Sequence, residues 1–209
     1  MKIISLKKKS NDIVITLEDL STLKIDYRTF VDHRIHKDVD ITDELLKLLS
    51  EESSFFKCKD AAFRFLSRRL HSTGELKLKL IKKNFSKETI EKVLTELKQK
   101  KYLNDEEFTF QYVKEKLKKG KAGIHKIENE LRSKGIDKSI IDKIISQIDE
   151  NNYQKNILEL IKKKLDQIKN KETDKRKIKS KIISYLLSKG YDYELIFNSL
   201  KDFDLEQED

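Results

Sequence analysis

Apolar residues between Leu76 and Leu97 recur at helical steps, as Leu76 and Leu80, then Ile90, Leu94 and Leu97, with Phe85 between the two runs. The same arrangement returns as Ile127 and Leu131, Ile136, then Ile141, Ile145 and Ile148. It returns again as Ile182 and Leu186, Tyr191, then Ile196, Leu200 and Phe203. Each run keeps one apolar stripe per helix on either side of its central residue. The copies lie about fifty residues apart, a period typical of arrays built from small helical units.

The residues around each centre predict a tight helix–helix corner. Asn84, Gly135 and Gly190 stand where a helix ends by entering the left-handed region, which glycine and, less readily, asparagine tolerate. Lys83, Lys134 and Lys189 precede them, at the negative end of the helix dipole. Ser86, Asp137 and Asp192 follow with side-chain oxygens suited to cap the next helix. Phe85, Ile136 and Tyr191 are placed to touch both helices, Leu80 and Ile90 in the first copy and their counterparts in the others.

A third helix is expected before each corner. "DAAFRFLSRRL" begins at Asp60, and Ser72–Glu75 reads as a capping box that opens the next helix. Asn104 caps "DEEFTFQYVKEKLKKG", and Gly120 and Gly123 punctuate before "IHKIENEL"; Asn152 is placed to cap "YQKNILELIKKKLDQI". The third copy lacks the box or glycine of the other two. Its residues 162–181 form a basic run, open to reading as a partly frayed linker or as a binding segment. The first fifty-odd residues differ: Ile13, Ile15 and Leu17, then Leu23, Ile25 and Tyr27, alternate like strands, and a helix is expected around "ITDELLKLLSEE".

The expected fold is therefore mainly α, with tandem three-helix repeats in an elongated curved array and a small N-terminal antiparallel β segment. The boundaries fall at residues 1–56 for a β-hairpin and helix cap, 57–103 and 104–150 for repeats 1 and 2, and 151–209 for repeat 3 with an acidic tail.

Charge sharpens this picture. Charged residues make up 40% of the 209, against about 25% in ordinary globular chains. Lysine and arginine number 46 against 37 acids, a formal charge of +9. Such a balance favours a polyanionic partner, although a lysine-rich proteome would produce the same excess. One cysteine, Cys58, excludes an internal disulfide, and no apolar run is long enough for a signal peptide or a membrane span. A cytoplasmic protein is expected.

Catalytic chemistry finds little support. His33 and His36 form an H-x-x-H pair without a third ligand nearby, Cys58 lacks a partner base, and no phosphate-binding glycine loop is present. Neither metal nor cofactor is expected. Phe63, Phe65, Phe108, Phe110 and Tyr112 could stack on bases, but their helical spacing favours a core.

At these residues the chain resembles the RecX regulatory family. Arg69, Ser72, Glu75 and Leu76 fit an R-x-x-S-x-x-E-L segment; Tyr102, Leu103, Asn104, Asp105 and Phe108 fit a "YLDD-x-x-F" segment; Lys134–Ile136 supplies a "K-G-I" turn. Asn84 replaces a usual glycine, Asn104 an aspartate, and Ile124 stands near a customary proline, whose loss is expected to loosen the start of that helix. The resemblance implies a non-enzymatic monomer that binds the RecA filament on single-stranded DNA, lodges in its groove and inhibits ATP hydrolysis and strand exchange. It implies a role in homologous recombination, DNA repair and the SOS response. Double-stranded DNA stays open as a further partner, no membrane partner is implied, and a basic helical-repeat protein that binds nucleic acid directly is the alternative.

The residues left outside the apolar stripes are the candidates for contact. Repeat 1 offers Arg64, Arg68, Arg69, Lys79, Lys82 and Lys83; repeat 2 offers Lys114, Lys118, Lys119, Lys121, Lys126 and Arg132. Arginine's planar fork suits phosphate, and lysine serves as a mobile point charge.

Overall fold

A computed structural model describes residues 1–37, 39–148 and 150–203, with the backbone alone at 150–152. The expected acidic tail, 204–209, lies outside the described residues. The chain divides into two compact units, Met1–Leu103 and Asn104–Asp209.

The first unit opens with an antiparallel meander of β1 (Ile3–Lys9), β2 (Asp12–Leu17) and β3 (Thr22–Asp26), in that order across the sheet. The alternation of β2 buries Ile13, Ile15 and Leu17, and Ile25 joins them from β3. Tyr27 does not extend β3. It begins α1 (Tyr27–Asp32), because the Asp26 carboxylate accepts the Arg28 N–H and caps a helix there.

The two helices expected around residues 43–66 are one, α2 (Asp43–Leu66), so the boundary at 56/57 falls inside it. Thr42 caps it, and the sequence after that holds neither glycine nor proline to stop it. Leu49 packs into the sheet's core, while Cys58 and Ala62 pack with α3 (Thr73–Ile81) and α4 (Lys87–Gln99) through Leu76, Leu80, Ile90, Val93, Leu94 and Leu97. One rod thus carries both cores of the unit. Burial pushes the Cys58 thiol up to about 11, away from reactivity.

The second unit holds two three-helix groups. One comprises α5 (Asp105–Lys118), α6 (Ile124–Ser133) and α7 (Lys138–Ile145); the other, α8 (Glu150–Ile168), α9 (Lys175–Ser188) and α10 (Tyr193–Leu200). Asn104 caps α5 as expected, but Asn152 lies inside α8 rather than ahead of it. The basic run at 162–181 is not a frayed linker. It is the end of α8 and the start of α9, whose cap, Asp174, accepts the Arg176 and Lys177 N–H groups at 2.9 and 3.4 Å. No helix among the described residues is long and apolar enough to cross a membrane.

All three corners have the expected backbone. Asn84, Gly135 and Gly190 take φ of 62°, 77° and 87°. The N–H groups of Phe85, Ile136 and Tyr191 donate to the carbonyls of Leu80, Leu131 and Leu186 at 3.5, 3.2 and 3.2 Å, closing the helix ends. Ser86 and Asp192 cap with their side chains; Asp137 does not. It has the same extended backbone, but the Ile140 N–H that its carboxylate would take is spent on Asp137's own carbonyl at 3.1 Å.

Within the second unit the third corner locks onto the start of α6. The N–H groups of Gly123 and His125 donate to the carbonyls of Lys189 and Gly190 at 2.9 and 3.1 Å, replacing the side-chain cap that Gly123 cannot supply. The Ile124 N–H donates to the Tyr153 hydroxyl at 3.0 Å, a bond that a proline there could not make. Loss of the customary proline therefore does not loosen this helix start; Tyr153 holds it. Tyr153 and Tyr191 stack with centroids 5.2 Å apart, but the buried Tyr191 hydroxyl has no hydrogen-bond partner among the described residues. The two rings should answer differently to loss of oxygen. Tyr153→Phe is expected to cost about 1–2 kcal/mol and Tyr191→Phe to cost nothing or stabilise by about 1 kcal/mol, read from urea unfolding followed by circular dichroism.

Candidate functional site

The first unit gathers part of the predicted basic set around one hollow. Arg64 and Arg68 stand one turn apart where α2 ends, and Lys83 and Phe85 arrive from the corner between α3 and α4. With Lys57, Ala61 and Phe65 they line a cavity of about 350 Å³. Its floor is apolar and half-buried, whereas Arg64, Arg68 and Lys83 are exposed.

The charges in this hollow are not equivalent. Lys57 is held by the Asp12 carboxylate at 3.0 Å. Arg64 donates its Nε–H to the Asp60 carbonyl at 3.3 Å and makes no ion pair among the described residues. Arg68 and Lys83 make no ion pair among the described residues. Three cations over an aromatic floor can hold a phosphate while the floor takes a flat ring.

The other predicted residues of this unit do different work. Arg69 is tied to the Glu75 carboxylate at 2.9 Å and to the Leu70 carbonyl at 2.7 Å. Ser72 accepts the Glu75 N–H at 3.0 Å, and Leu76 is fully buried. The R-x-x-S-x-x-E-L segment is thus a helix-start clamp. Lys79 lies over the Phe65 ring at 4.8 Å and braces the floor, and Lys82 is exposed on the corner without lining the hollow. His33, one half of the H-x-x-H pair, is engaged by Glu52 at 2.6 Å.

In the second unit Lys114 and Lys118 line a larger groove of about 540 Å³. Phe110, Val113 and Leu117 of α5 form one wall, Ile144 and Ile148 from the end of α7 another, and Lys155, Asn156 and Glu159 of α8 a third. Lys119 is paired with Glu115; Lys121, Lys126 and Arg132 are exposed and lie off the groove.

Most of the aromatic set is core, as the spacing indicated. Phe108 is buried and stacks on Tyr112 with centroids 5.8 Å apart; Phe63 meets Tyr102 edge-on at 5.2 Å. Phe110 is the exception, 43% exposed. Its position two residues from both Phe108 and Tyr112 places it on the opposite face of α5, a signal available in the sequence. Lys155, which lines the groove from α8, lies in the third repeat, outside the basic set expected from the sequence.

Comparison with known proteins agrees with this architecture. Family models described as the first, second and third three-helix domains of RecX match residues 58–97, 104–144 and 151–200. The chain is 33% identical over 188 residues to the regulatory protein RecX of Clostridium perfringens (strain 13 / Type A), covering 90% of this chain and 88% of that protein. It is 31% identical over 203 residues to that of Clostridium acetobutylicum, covering 96% and 94%. Among solved structures, a regulatory protein RecX superposes with a TM-score of 0.76 at 20% identity, covering 96% of this chain and 98% of the other. RecX from Lactobacillus salivarius gives 0.66 at 24% identity, covering 73% and 98%.

Proposed function

We propose, since this chain belongs to the RecX family of regulatory proteins, that it binds the RecA filament on single-stranded DNA and inhibits its ATPase and strand exchange. It acts as a cytoplasmic monomer without catalysis of its own, in recombination and DNA repair. One observation carries this reading: Arg64, Arg68 and Lys83 converge over Phe65 and Phe85, and among the described residues no carboxylate pairs with them. A polyanion brings the missing negative charge, and counterion release drives its capture.

The test is the recombinase ATPase on single-stranded DNA, with this protein substoichiometric to both. Marked inhibition at that ratio is expected, because a filament regulator acts on the polymer and not on bare lattice. Inhibition that sets in only when the protein saturates the DNA, and falls steeply with salt, would instead make it a nucleic-acid-binding repeat protein.

A further inference from the structure

We infer that the groove formed by α5, α7 and α8 seats an acidic polypeptide segment that inserts bulky apolar side chains. The inference rests on the regulatory reading above only for the partner's identity, which it assigns to the recombinase rather than to its DNA.

The lysines of α5 carry the argument. Lys116 is paired with Glu130 and Lys119 with Glu115, so that part of the helix is neutralised within the chain. Lys114 and Lys118, one turn apart, make no ion pair among the described residues, and both line the groove. Lys155 stands on the α8 side in the same condition, and Glu159 is the one acid among the described lining residues. Of the three lysines within α5, the two without an ion pair among the described residues thus both stand on the rim of an apolar trough.

The floor decides what kind of polyanion fits. Val113 and Ile144 belong to the core, Leu117 and Ile148 are half-buried, and Phe110 is exposed, with the Lys114 ammonium 6.0 Å from the centre of its ring. Four of the five apolar lining residues, Val113, Leu117, Ile144 and Ile148, are branched aliphatics that suit branched side chains, and Phe110 alone among them has a ring face for a base. The rim has no arginine fork for phosphate, in contrast to the hollow of the first unit. A volume of about 540 Å³ accommodates several anchor side chains of an amphipathic segment, with its carboxylates meeting the lysines.

The full chain is titrated, by fluorescence anisotropy, into a labelled synthetic helix with leucines at i, i+4 and i+7 and glutamates elsewhere. Two control peptides replace the leucines by serine or the glutamates by lysine. Binding of the acidic leucine peptide, and at least about tenfold weaker binding of both controls, is expected. Phe110→Ser and, independently, the double variant Lys114→Glu/Lys118→Glu should each weaken it about tenfold, and Arg132→Glu should leave it unchanged. Equal binding of all three peptides, or indifference to both groove variants, overturns the site. In a second arm a benzoylphenylalanine at position 110 is photolysed on recombinase filaments. A crosslink to an acidic recombinase segment is expected; a crosslink to DNA alone, or none, overturns the partner even where ATPase inhibition persists. Retained peptide binding without any ATPase effect would remove the regulatory reading and leave the groove standing.

Discussion

Replacing Gly190 by alanine is expected to destabilise the second unit by about 3–4 kcal/mol, measured by urea unfolding followed by circular dichroism. Gly190 holds φ at +87°, a conformation that costs a side chain about 1–2 kcal/mol. The larger part is steric. A Cβ there would stand 2.5 Å from the Lys126 backbone nitrogen, which belongs to a helix and cannot swing aside. The corner must retreat from α6, and the N–H groups of Gly123 and His125 then lose the carbonyls that cap that helix. Gly123→Ala tests the same contact from its other side. Its backbone is ordinary, with φ of −78°, so its whole cost comes from a Cβ 2.2 Å from the Gly190 carbonyl oxygen. Gly120→Ala is the control: it shares the positive φ, at 59°, but meets only the movable Asn156 side chain at 3.0 Å, and should lose about 1 kcal/mol. A loss at Gly190 no larger than that at Gly120, together with no loss at Gly123, would mean that the interlock contributes nothing beyond backbone strain.

That interlock also marks how far local signals reach. The corners were legible because every part of their chemistry is local: a lysine, a left-handed residue, an apolar staple and a cap follow one another directly, as Lys83 to Ser86 do in the first copy. The strands were legible because one face is buried and the other is wet. Where the sequence misleads, an equally local pattern has a competing use. Asp60 reads as a helix start, but it faces the Arg28 guanidinium at 2.7 Å from inside α2, and without a breaker the helix simply continues. Asp174 caps α9 about one turn before the repeat register would place a cap, so a search in register passes over it. Gly123 and Gly190 each look like punctuation. Four helices, α6 to α9, lie between them along the chain, and no spacing rule encodes their close approach. The same holds for the candidate site. The basic face was visible as a surplus of lysine and arginine; the pair of Glu115 with Lys119 is local, at i and i+4, but Glu130 reaches Lys116 only because the fold packs α6 against α5.

The triple variant Arg64→Glu/Arg68→Glu/Lys83→Glu should therefore separate architecture from function. All three side chains are exposed and none ends in an intramolecular ion pair among the described residues, so the unfolding transition is expected to stay where it is in the parent chain. Inhibition of the recombinase should nevertheless need at least about tenfold more protein at moderate salt. Each phosphate contact to a single strand contributes about 0.7 to the slope of log affinity against log salt, so removing three lowers that slope by about 2. The residue-by-residue comparison is the sharper measurement. Lys82 and Lys83 are adjacent on one corner and indistinguishable by composition, yet only Lys83 lines the hollow. Lys83→Glu should shift both the half-inhibitory concentration and the salt slope, while Lys82→Glu shifts them little. Arg69→Glu should do the reverse of the triple variant, breaking the tie to Glu75 and lowering stability by about 1 kcal/mol or less without changing the slope. If Lys82 and Lys83 proved interchangeable, recognition would follow the diffuse charge of the surface, and the hollow over Phe65 and Phe85 would be incidental packing.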